Sequence, residues 1–74
     1  MCYLIAKRFD EPGCFAVQAE GGKSLAQLVS YLGLKLLDKG VQILTVSDPK
    51  AYGEYKPYTF LSSQEEFIQK AMKM

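Results

Sequence analysis

Cys2-Tyr3-Leu4-Ile5-Ala6-Lys7-Arg8-Phe9, then Asp10-Glu11-Pro12-Gly13, then Cys14-Phe15-Ala16-Val17-Gln18-Ala19-Glu20: the reading of these residues decides the fold. The first run is rich in aromatic and aliphatic residues and reads as a strand over 2–9. Pro12 and Gly13 stand at the two central positions of a type II turn. The second run, Cys14 to Glu20, alternates Phe15, Val17 and Ala19 with Cys14, Ala16, Gln18 and Glu20, so the first set should face the core. Together they form a hairpin. Its geometry also bears on Cys2 and Cys14, which begin their respective strands and so lie at opposite ends of the ladder. At ~3.4 Å per residue those ends are roughly 20 Å apart, whereas a disulfide needs Cα atoms within about 7 Å. No intramolecular bridge is expected.

Working outward, Gly21-Gly22 breaks the second strand. Ser24, with Gln27 three residues on, fits a helix N-cap and capping box. From Leu25, apolar residues recur at Leu28, Val29, Leu32 and Leu36, one face of a helix that stops at Gly40. Gly33 inside it lowers helix propensity by about 1 kcal/mol relative to Ala and suggests close packing on the sheet. Val41 to Val46 is a β-branched third strand. A Tyr- and Gly-containing loop follows Ser47-Asp48-Pro49, and Tyr58 to Leu61 is a short fourth strand. Ser62 or Ser63 caps the last helix, which places Phe67, Ile68, Ala71 and Met72 on one side. The order ββαββα predicts an α+β fold over 1–74, one small domain: a four-stranded, mostly antiparallel sheet with two helices packed on it.

Composition narrows the function. The chain has 74 residues, 49% apolar and 23% charged, within the range for soluble globular proteins. Nine Lys+Arg against eight Asp+Glu give a net charge of +1, which supplies no strong field for nucleic acid or an anionic membrane. No apolar run approaches the ~20 residues of a membrane span. The chain has no His, the commonest general base and zinc ligand. No catalytic residue, metal or cofactor is expected, and the protein reads as non-enzymatic. Two unbridged cysteines and no export signal point to the cytoplasm.

Four features invite a functional reading. Gly22-Lys23-Ser24 copies the end of the phosphate-binding loop G-x-x-x-x-G-K-[ST], but the first glycine falls on Val17 inside a strand, and Glu20 brings negative charge. A weaker expectation survives: amides of Gly22 to Leu25 at a helix N-terminus suit a small anion. Met1-Cys2 would give an N-terminal thiol nucleophile after Met1 removal, but such enzymes need a far larger scaffold, and Cys2 reads as a small apolar strand residue. The segment Ala51 to Tyr58 is the most distinctive. Tyr52, Tyr55, Lys56 and Tyr58 offer contact area with polar tips, a recognition surface, unless the rings fold back over a thin core. Finally, strand one is apolar on both sides. With both helices on one sheet face, the other face should expose some of Tyr3, Ile5 and Phe9, or of Cys2, Leu4 and Ala6, an expected homodimer surface.

The opening Met1 to Phe9, the turn Pro12-Gly13-Cys14-Phe15-Ala16 and the later Ala51-Tyr52-Gly53-Glu54-Tyr55 resemble a family of short bacterial proteins of Clostridia and related Firmicutes, classed as a domain of unknown function. The resemblance covers almost the whole chain. It implies a bacterial cytoplasmic protein and transfers no activity, substrate or site.

Overall fold

The computed structural model describes residues 2–51 and 53–74, with Glu54 described by its backbone alone. The hairpin forms as the alternation predicts. Strand β1 (Cys2–Arg8) pairs antiparallel with β2 (Cys14–Ala19), in the register Cys2↔Ala19 to Ala6↔Phe15. At the turn Gly13 has φ 90, and a Cβ there would meet the Pro57 carbonyl oxygen at 3.2 Å, so both backbone and space require glycine.

Helix α1 (Lys23–Leu37) leads into β3 (Val41–Val46), which pairs antiparallel with the free side of β1. Gly40, at φ 74, makes the reversal between them. After β3 come two 3-10 turns, Pro49–Ala51 and Gly53–Tyr55, then β4 (Tyr58–Leu61) and α2 (Gln64–Met72). β4 joins β2 in parallel, giving one mixed sheet in the order β3-β1-β2-β4. The α+β class and the order ββαββα stand as read from the sequence, with two antiparallel pairings and one parallel.

The helix starts divide. Ser63 caps α2 by accepting a hydrogen bond from the Glu66 amide at 3.2 Å. Ser24 does not cap α1. Gly22 takes that position at φ 127, so the helix begins before Ser24, and among the described residues no side chain bonds to its N-terminal amides. Gly33 departs from expectation too: a Cβ there meets nothing within 4 Å, so no close approach to the sheet requires it.

The helices lie on one face, α1 mainly over β3 and α2 over β2 and β4. Leu4, Ala6, Val17, Ala19, Val41 and Ile43 from the sheet meet Leu25, Leu32, Leu36, Phe67 and Ala71 from the helices in the main core. Since β3 and β4 occupy opposite edges, the chain between them must cross the sheet, a span of roughly 14 Å at ~4.8 Å per strand. The helices hold one face, so it crosses the other. There Ile5, Cys14, Ala16 and Val46 form a second buried cluster, against which Tyr3, Leu44, Tyr55 and Tyr58 pack.

That crossing corrects the expected bare face. Ile5 is fully buried and Tyr3 half-buried. Only Phe9 of that set stands exposed, beyond the end of β1.

Candidate functional site

The tyrosine segment is built by the crossing. Tyr55 and Tyr58 are half-buried against the second cluster, and the Tyr58 hydroxyl donates to the Pro49 carbonyl. These rings therefore contribute to closing a sheet face. Lys56 is exposed between them, preceding a cis bond to Pro57. Tyr52 lies outside the described residues. The structure thus brings Tyr55 and Tyr58 to one small core and leaves Lys56 in solvent.

At the other candidate, Gly22, Lys23 and Ser24 are exposed at the start of α1. A cleft of about 540 Å³ opens beside it between α1 and the end of β3, lined by Cys2, Gly22, Ala26, Val29, Ser30 and Thr45 among others. Gly22 lines that cleft; Lys23 and Ser24 do not. Four amides at any helix start lack intrahelical partners, and among the described residues no side chain caps them here.

The cysteines point to opposite faces. Cys2 packs on the main core, its thiol donating to the Ala19 carbonyl at 3.6 Å. Cys14 belongs to the second cluster, and burial pushes its thiol above the ordinary value, opposed by nearby Lys7. Both are free, and register and facing each forbid a bridge within the chain. Met1, on which the N-terminal nucleophile reading turns, is outside the described residues. Asp10 and Glu11 pair with Arg8 at 3.1 and 3.8 Å, as part of the turn. Among the described residues no group of His, Cys, Asp or Glu could hold a metal ion, and no helix is long and apolar enough to cross a membrane.

Opposite its core face, α1 exposes Leu34 (78%), Leu37 (60%) and Tyr31 (54%) at three-residue spacing. From Ser24 to Leu37 the helix carries a single charge, Lys35, and its ammonium lies 5.2 Å from the Tyr31 ring centre. A solvated helix face is usually charged; an apolar, charge-poor one resembles the centre of an interface. The signal was present in the sequence as apolar residues off the Leu25–Leu36 stripe.

A family model described as a family of unknown function (DUF6718) matches residues 1–74. The chain belongs to this family. No curated protein matches it. Membership therefore fixes kinship along the whole chain and leaves function to the physical features above.

Proposed function

We propose that this family member is a non-enzymatic interaction module that works as a homodimer, with α1 at the interface. The observation that carries the reading is the outer face of α1, where Tyr31, Leu34 and Leu37 stand in solvent beside one lone charge. Leaving such a stripe in water forgoes burial worth roughly 25 cal/mol per Å². A net charge of +1 sets little repulsion against like subunits. Packing of Tyr55 and Tyr58 into the second cluster favours α1 over the tyrosine segment as the contact surface. Its setting in this reading is the cytoplasm of a bacterium, on the resemblance of the opening residues and the two free cysteines. Light scattering at micromolar concentration tests it: a dimer mass is expected, and a monomer mass overturns the homodimer.

A second reading, a small-anion binder, takes the α1 start. It draws support from the amides of Lys23 to Leu25 having no side-chain cap. Phosphate titration followed by NMR should shift those amides first; uniform small shifts would remove it.

A further inference from the structure

The edge of β3 says where the second copy sits. The Phe9 amide donates to the Gly40 carbonyl at 2.9 Å, continuing the β1·β3 register by one pair. Bonded and non-bonded pairs alternate in an antiparallel ladder, so Lys7/Gln42, Ile5/Leu44 and Tyr3/Val46 are the bonded ones. Val41, Ile43 and Thr45 therefore turn their amide and carbonyl groups outward from the sheet. Among the described residues, no hydrogen bond from outside the sheet reaches them. Open edges are normally protected by charge, Pro or a bulge. Val41-Gln42-Ile43-Leu44-Thr45-Val46 has neither charge nor Pro, and no charge occurs from Gly40 to Ser47.

Resting on the homodimer reading, we propose that β3 pairs antiparallel with β3 of a second copy about a two-fold axis at Ile43, making one continuous eight-stranded sheet. Outward groups then meet outward groups: Ile43 faces Ile43, and Val41 faces Thr45 of the other copy. An uncharged edge suits a two-fold, since a charge near the axis would meet its own duplicate.

The helix above supplies the second line of argument. α1 lies mainly over β3, the edge strand, so joining the edges brings the two α1 helices side by side; of the exposed α1 stripe this seam takes in Leu37, while Leu34 and Tyr31 lie outside it. Helices at 8–10 Å need small residues between them at the closest points. The α1 flank beside Thr45 carries Ala26 and Ser30, and the helical repeat of three and four residues puts Gly33 and Leu37 on the same side. α1 runs antiparallel to β3, and the same axis passes midway along this flank. It sets Leu37 of one copy against Ala26 of the other, and Gly33 against Ser30. This gives Gly33 the role it lacks inside one chain, where space for a side chain is open. The cleft of about 540 Å³ between Ala26, Val29, Ser30 and Thr45 lies along the same seam.

Hydrogen exchange and mass together test this in the intact chain. Expected are a dimer, slow exchange at the Ile43 and Thr45 amides, and faster exchange there on dilution to monomer. Thr45→Pro removes an outward donor from an exposed position without breaking a bond to β1, and should raise the dimer dissociation constant about tenfold or more. Gly33→Leu should also weaken the dimer while leaving the monomer folded and with a higher melting temperature. A dimer whose Ile43 and Thr45 amides exchange freely, or that tolerates both variants, overturns edge pairing but leaves the homodimer standing. A monomeric wild type overturns both.

Discussion

The two faces of the sheet are closed by different means. On one, α1 and α2 bring Leu25, Leu32, Leu36, Phe67 and Ala71 down on Leu4, Ala6, Val17 and Val41. On the other, an irregular crossing of two 3-10 turns covers Ile5, Cys14, Ala16 and Val46, with Tyr55 and Tyr58 at its margin. A helix satisfies its own backbone groups and can present a regular apolar stripe. A crossing cannot, so it uses large rings with polar tips, as Tyr58 does in bonding the Pro49 carbonyl. The teaching is that a loop with binding-site composition can be structural when topology forces it across a sheet.

Unequal closure is open to direct test. The largest effect belongs to the helix face: Phe67→Ala, at a fully buried site, should cost about 3–5 kcal/mol in urea unfolding. Ile5→Ala probes the other face and should cost about 2–5 kcal/mol, because Ile5 is equally buried. A surface-like value there would show that the crossing does not seal the second cluster. Tyr58→Phe keeps the ring and removes the bond to Pro49, for about 1 kcal/mol; no loss would mean the ring alone matters. Helix starts give a finer contrast: Ser63→Ala should cost about 1 kcal/mol, and Ser24→Ala close to nothing, since only Ser63 caps.

The smallest effect is at Asp10. The hydrogen bond from Arg8 holds its carboxyl below the ordinary value of 3.8. A lowered folded value means stability present above the ordinary value and lost as pH falls through the lowered one. Asp10→Asn should therefore leave melting near neutral pH almost unchanged and flatten its decline in acid. The solvent exposure of the Asp10 side chain keeps that change small.

How legible each face was follows from its closure. The hairpin, the Leu25–Leu36 stripe and the Phe67/Ala71 side of α2 were readable because regular elements repeat with fixed periods. The opposing positions of Cys2 and Cys14 followed from the hairpin alone. The α1 cap was misread because Ser24 is a good capping residue, yet Gly22 reaches a backbone angle open to few others and starts the helix first. Covering of Ile5 and Tyr3 was not readable. It depends on β3 and β4 taking opposite edges, and no local pattern in either strand encodes its neighbour. Tyr55 and Tyr58 showed in composition, but their burial is set by that strand order. The exposed Tyr31, Leu34 and Leu37 form a second apolar stripe whose three-residue spacing overlaps that of the core stripe on the same helix, so periodicity alone does not separate the two.

The crossing also sets an order of events during folding. Only β1 and β2 are joined by a tight turn; β3 arrives after a helical excursion and β4 after the passage beneath the sheet. Closing long loops is entropically slow, so the central hairpin forms early and the edges are added to it. Val17→Ala should then act mainly on the refolding rate, and Leu61→Ala, in the last strand, mainly on the unfolding rate. A chain arrested before that passage would still hold its hairpin, with the Tyr3 and Ile5 side of the central strand open to water.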